Sequence, residues 1–167
     1  MKWLGWFLAV CAVTIAVMVL MGLRVPREHH VAGSAVIDAP LLAVWTTISD
    51  VQAAPQWRPE VKRVEVLNDR RWKESGPHGS MTFRLGHAEP MTKRIVVFDD
   101  KNAPFTGKWT FTLEPVENGK TQVTIAEDAT VFSPVWRFVG HYVIGERSSI
   151  DEYLRDLQKS FAFKKSG

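Results

Sequence analysis

Twenty-one consecutive residues, Trp3 to Leu23, carry no charge, and no other feature restricts the folding of this chain as tightly. As a helix the run would be about 30 Å long, which matches the hydrocarbon thickness of a bilayer. A cleaved signal peptide is the competing reading, but its apolar part is usually about 7–15 residues and ends in a small-x-small site. Here the run is longer, and it leaves through Val19-Leu20-Met21-Gly22-Leu23-Arg24-Val25-Pro26, which is bulky where a peptidase needs small residues. Residues 1–23 therefore read as an uncleaved single-pass transmembrane anchor. Its direction stays open, because Lys2 on one side nearly balances Arg24 and Arg27 on the other. Trp3 and Trp6 fit an interfacial belt, which occurs at both membrane surfaces.

Residues 24–29 form a short polar linker containing Pro26, so the domain expected at residues 30–163 is held close to the lipid, with a basic tail at 164–167. A composition of 46% apolar and 11% aromatic residues is enough for one buried core. The net charge is +3, and setting Lys2 aside leaves twenty basic residues against eighteen acidic ones. That near-balance argues against nucleic acid as a partner, which requires basic residues concentrated on one face. Cys11 is the only cysteine and lies in the apolar run, so an intrachain disulfide and a cysteine metal site are both excluded.

Beyond the linker the pattern predicts a strand, two helices, a series of strands and a long final helix. The first strand covers His30 to Ile37. Asp38-Ala39-Pro40 then starts a helix in which Leu41, Val44, Trp45 and Ile48 recur at helical spacing. Pro55-Gln56-Trp57-Arg58-Pro59 cannot extend it and pins Trp57 in place. Strand character follows at Val61–Leu67, Arg71–Glu74, Met81–His87 and Lys93–Asp99, separated by turn residues. The clearest local signal is a hairpin, Trp109–Val116 with Thr121–Thr130, closed through Glu117-Asn118-Gly119-Lys120.

Alternation sorts these strands into faces. Met81, Phe83 and Leu85 share a side with His87; Trp109, Phe111 and Leu113 share one; and Val123, Ile125 and Ala129 share one with Glu127. His87 and Glu127 are thus the polar intruders on an apolar face. From Ser133 to Phe163 the chain reads as one long helix, its stripe running through Val135, Phe138, Val139, Tyr142 and Val143 and then Ile150, Tyr153, Leu154, Leu157 and Phe161. Gly140 and Gly145 mark a place for a kink or break. These elements assemble as α+β, an antiparallel sheet of about seven strands curled around the C-terminal helix.

The stretch "VIDAPLLAVWTTISDVQAAPQW", followed in order by "GKWTFTLEPVENGKTQVTIAED" and "SPVWRFVGHYVIGERSSIDEYLRDL", resembles the START-related (SRPBCC) superfamily, in particular its polyketide cyclase/dehydrase and lipid transport family. The resemblance covers about His29 to Phe161. It implies a helix-grip fold with a deep apolar cavity between sheet and long helix, roofed by Asp38–Pro59, with Trp45 inward and Trp57 near the entrance. The family holds lipid carriers, sterol and hormone binders and aromatase/cyclases, so membership constrains fold more than function.

Cavity-lining candidates are Trp57, Met81, Phe83, Trp109, Phe111, Glu127, Phe138 and Tyr142, and a packed core is the alternative for each apolar one. Glu127 is read either as an anchor for a ligand head group or general acid/base, or as the partner of Arg137 or Arg147, or as exposed at a strand end. His87, beside the Ala88-Glu89-Pro90 turn, reads as exposed, with an acid/base role as the alternative. Tyr142 could orient a ligand or make an ordinary core hydrogen bond. The adjacent His29 and His30 make too weak a metal signal to keep. There is no Gly-x-Ser-x-Gly, Gly-x-x-x-x-Gly-Lys, His-Glu-x-x-His or Gly-x-Gly-x-x-Gly motif, so neither cofactor nor metal is expected.

Three functions remain. The first is a membrane-anchored module that binds a lipid or other hydrophobic small molecule. The second is a cyclase/dehydrase-type enzyme with Glu127, His87 or Tyr142 as weak catalytic candidates. The third is a closed-core interaction domain without ligand. Ligand identity and oligomeric state are left open.

Overall fold

The computed structural model describes residues 2–77, 79–145 and 147–165. Helix α1 (Lys2–Arg24) takes up the uncharged run and is the one described helix long and apolar enough to cross a membrane; none of its apolar window is buried by the rest of the chain. Three residues later the chain enters β1 (Glu28–Ile37). Helix α2 (Leu41–Ser49) and the short α3 (Ala54–Trp57) follow, joined by one tight turn at Val51–Ala53. Asp50 makes the joint: its carboxylate accepts from the backbone N–H groups of Gln52 and Ala53 at 3.1 and 3.3 Å, starting the second turn where the first helix stops.

Six strands come next: β2 (Arg63–Asn68), β3 (Arg71–Gly76), β4 (Gly79–Glu89), β5 (Lys93–Phe98), β6 (Phe105–Val116) and β7 (Lys120–Val131). All seven strands form one antiparallel sheet in the order β1-β7-β6-β5-β4-β3-β2, so the first strand closes onto the last. The β6–β7 hairpin turns where expected, with Asn118 and Gly119 at φ of +59° and +68°. The chain ends in α4 (Pro134–Phe138), a wider π-helical turn (Val139–Ile144) and α5 (Ser148–Lys165). This is the α+β helix-grip architecture, a curved sheet holding α5. The expected basic tail begins inside that helix, and residues 166–167 lie outside the described ones.

Alternation does what the sequence expects on the inner face. Ile37, Leu113, Val123 and Ile125 from β1, β6 and β7 meet Ile150 and Leu157 of α5, with Val44 and Ile48 of α2 closing the edge, all of them buried. Full burial of such side chains is worth about 1.5–3 kcal/mol each, which makes this the part of the fold that fixes the helix on the sheet.

The final helical stretch breaks at Gly145, one of the two glycines marked for a kink, so that α5 alone is the gripped helix. Gly145 takes φ +90°, a backbone conformation that ends the π-turn, and the chain changes direction before α5. The stripe beyond the break is buried as predicted, whereas Tyr142, Val143 and Ile144 are exposed. The segment before the break turns to α1 instead. Arg137, itself buried, donates to the Val25 carbonyl at 2.9 Å, and Gly22 lies so close to Pro134 that an added Cβ would overlap its carbonyl oxygen.

Behind α5 the fold contains an unfavourable pair. Asp156 is buried with Oδ2 unbonded among the described residues, Glu60 has an equally orphaned Oε2, and carboxylate oxygens of Glu60, Glu152 and Asp156 lie within 4.8 Å of one another. Burial first, and then Glu60, pushes the Asp156 carboxyl above the ordinary carboxylate range. The folded chain therefore holds a proton there more tightly than the unfolded chain. Its contribution to stability is present below the unfolded pKa and is lost as pH rises through the raised value. Asp156→Asn, which supplies a donor between two acceptors, should stabilise the fold by about 1 kcal/mol at pH 7.5, with the gain shrinking at pH 4.5. Urea denaturation of both proteins at the two pH values measures it.

Candidate functional site: a cavity under the helical roof

The inner face of the sheet is not filled everywhere. Between β3–β7, the α2–α3 roof and the start of α5 lies a cavity of about 280 Å³, open on one side. Trp57, Met81, Phe83, Trp109, Phe111 and Glu127 line it, each placed there by strand alternation or, for Trp57, by the proline-flanked end of α3. Ring contacts brace the wall. Tyr153 of α5 meets Trp57, Trp109 and Phe111 at centroid distances of 5.1, 5.7 and 5.4 Å, and Trp72 stacks on Phe83 at 5.7 Å.

Two expected lining residues are not there. Phe138 and Tyr142 pack on each other at 5.2 Å in the segment that turned toward α1, and Tyr142 is 52% exposed. The reason is the break at Gly145, which removes the helical phase that put them in register with Tyr153. Tyr153 is the tyrosine the cavity uses. It was legible as a member of the apolar stripe, but nothing in spacing alone set it above Tyr142.

Glu127 lies in the cavity wall, and its partners differ from both arginines considered. Its Oε2 accepts from Trp109 Nε1 at 2.5 Å and its Oε1 is 3.2 Å from His29 Nε2. Arg137 is taken up by Val25, and Arg147 pairs with Asp151 at 3.1 Å. The β1–β7 register, which sets Val31 opposite Glu127, brings His29 within reach; that pairing was the missing signal. His87 is exposed, 3.1 Å from Glu89. A register shift between Leu85 and Ala88 turns β4 before His87, so it loses the inward phase of Met81 and Phe83.

The cavity holds polar groups that sequence reading missed. Arg58 bonds Glu60 at 2.8 Å and Glu74 at 2.9 Å, and Trp72 Nε1 also donates to Glu74 at 3.0 Å. Burial pulls the Arg58 pKa down, but Glu74, then Tyr153 and Glu60, outweigh it and raise it. Arg94 on β5 is buried as well, and there burial prevails and lowers its pKa. Burial pushes the Tyr153 phenol far above its ordinary value, so it remains a hydrogen-bond donor at neutral pH.

The sequence that builds this sheet, roof and gripped helix is matched by a family model. The model described as "Polyketide cyclase / dehydrase and lipid transport" covers residues 28–161. The chain belongs to this family. No curated protein sequence matches it. Among solved structures, a START superfamily protein from Mycobacterium smegmatis is 16% identical with a TM-score of 0.67, covering 80% of this chain and 97% of its own. The Zhui aromatase/cyclase from Streptomyces sp. R1128 is 15% identical with a TM-score of 0.69, covering 81% and 94%. A conserved protein from Geobacillus kaustophilus is 17% identical with a TM-score of 0.65, covering 80% and 95%. At such identities the likeness is one of fold.

Proposed function

We propose that this family member is a membrane-anchored module that binds a hydrophobic small molecule in the cavity between sheet and α5. The observation that carries the reading is the cavity itself. Its apolar and aromatic wall with a few inward polar groups is the composition of small-molecule sites, and its volume of about 280 Å³ falls just short of their usual range of roughly 300–1,000 Å³, which suits a small ligand. Tethering such a cavity to a bilayer raises the local concentration of a lipid-soluble ligand without new contacts.

A second feature supports the membrane. Phe132, Trp136, Tyr142, Val143 and Ile144 are all exposed, and they lie in the segment that packs on the C-terminal end of α1. If α1 spans the bilayer, this patch meets the headgroup region, where tryptophan and tyrosine are favoured. With Trp136→Glu and Tyr142→Glu together, the anchored protein should stay in the membrane, but the domain should be cut several-fold faster by added protease. A cleavage rate unchanged by the pair of substitutions would remove the patch from the membrane reading.

The enzyme reading is favoured by one observation, a carboxylate in the cavity wall. Glu127, held by Trp109 and His29, is arranged as a fixed acceptor. Glu127→Gln should therefore leave retention of a co-purifying ligand within about twofold, since the amide keeps an oxygen for one donor. Liquid extraction of the purified variant followed by mass spectrometry measures it. A conversion of an offered aromatic polyketide chain by the wild type that this substitution abolishes would instead establish the cyclase.

A further inference from the structure

Among the described residues, every acidic or basic side chain in the cavity wall but one is hydrogen-bonded. Asp50 accepts from two backbone N–H groups, Glu74 from Arg58 and Trp72, and Glu127 from Trp109 and His29, while Arg58 holds two carboxylates. Arg94 shares the inner face of β5 with Val96 and Phe98, is 6% exposed, and its guanidinium makes no hydrogen bond or ion pair with any described residue. Its guanidinium carbon lies 5.7 Å from the centre of the Trp72 ring, its one cation–π contact among the described residues. A cation–π contact satisfies none of the five N–H donors, and a buried charge without an acceptor is costly. The Tyr153 hydroxyl likewise makes no hydrogen bond with any described residue, and Tyr153 lines the same space as Arg94.

We infer that Arg94 and the Tyr153 hydroxyl together receive the carboxylate of a single-chain or compact aromatic organic acid, whose apolar body fills the rest of the cavity. This rests on the ligand-binding reading above and names the ligand's chemistry. One unpaired guanidinium balances one negative charge, which a carboxylate supplies and a phosphate monoester exceeds. A phosphodiester has the right charge, but in a membrane it belongs to a two-chain lipid, and about 280 Å³ is too small for two chains. The planar fork of arginine fits the two oxygens of a carboxylate, and the phenol adds a third donor.

The test uses the full chain in lipid nanodiscs, titrated calorimetrically with 2-naphthoate and with its uncharged isostere 2-naphthamide, heats from empty discs being subtracted. The wild type should bind naphthoate at least about tenfold more tightly than naphthamide. Arg94→Met should erase that preference while leaving naphthamide binding unchanged, Arg94→Lys should keep part of it, and Tyr153→Phe should reduce it a few-fold. Arg94→Met should also melt no lower than the wild type when ligand-free, since it replaces an unpaired buried charge by an apolar chain of similar length. Equal affinity for both probes, unaffected at Arg94, would overturn the head-group assignment and leave the hydrophobic cavity standing. Failure of both probes to bind would overturn the two readings together. A markedly lower melting temperature in Arg94→Met, with no change in probe preference, would show the arginine to be structural and overturn the assignment.

Discussion

Deleting residues 2–24 should move the protein from the membrane pellet almost wholly into the soluble fraction, the largest effect expected of any change to this chain. The segment Trp3–Arg24 would be about 33 Å long as a helix, and it presents most of its apolar side chains to the outside, the fold meeting it only at its C-terminal end. Insertion of such a helix is effectively irreversible on the time scale of fractionation, whereas an interfacial patch holds a protein only reversibly. A single charge placed mid-helix, Val13→Arg, costs about 2.5–3.5 kcal/mol in insertion and should give a partial version of the same result. The mass of the wild-type protein recovered from membranes separates anchor from signal peptide. An anchor predicts the intact 18.9 kDa chain, and a chain shortened by the first twenty or so residues would contradict it. Gly22→Leu tests how α1 is joined to the domain: it should leave the protein in the membrane but loosen α4, because its side chain would occupy the place of the Pro134 carbonyl.

The second large effect separates a filled core from a hollow one. Leu157 is completely buried between α5 and the sheet, and Leu157→Ala should cost about 2–5 kcal/mol, a large fraction of the 5–15 kcal/mol by which a typical domain is stable. Met81 is half-buried in the cavity wall, and enlarging it points the added atoms into open space. In a packed core Met81→Trp would cost about 1–3 kcal/mol through overpacking; here it should cost less than about 1 kcal/mol and expel most of any bound ligand. The two variants therefore reverse roles, one destabilising without filling the cavity and the other filling it without destabilising. Urea midpoints and ligand retention, measured on both, decide between the readings.

How far the sequence carried can be seen in particular elements. The hairpin at Asn118-Gly119 and the buried stripe Ile150 to Phe161 were readable because each depends on local chemistry: a turn that needs positive φ, and a helix that needs one apolar face. Met81, Phe83, Trp109, Phe111 and Glu127 were readable as inward because alternation fixes a face without reference to the partner, and Trp57 because the flanking prolines pin the end of its helix. What lies across the cavity was not readable. Phe138 and Tyr142 kept helical spacing with Tyr153, and only the turn at Gly145 shows that the spacing is interrupted. His29 reaches Glu127 through a pairing ninety-eight residues apart in the chain, a matter of sheet register. Arg94 stood in an alternating strand beside Lys93, and no local signal distinguishes a charge facing a cavity from one facing water.

The central claim, that the space under the α2–α3 roof holds a hydrophobic ligand, is tested most directly by native mass spectrometry of residues 25–167 after gentle purification from cells. The segment keeps Val25, which Arg137 holds, and it contains the whole region matched by the family. The account predicts a small molecule bound at one per chain and lost in Met81→Trp. A domain that emerges empty, and stays empty when offered a total lipid extract, would contradict it.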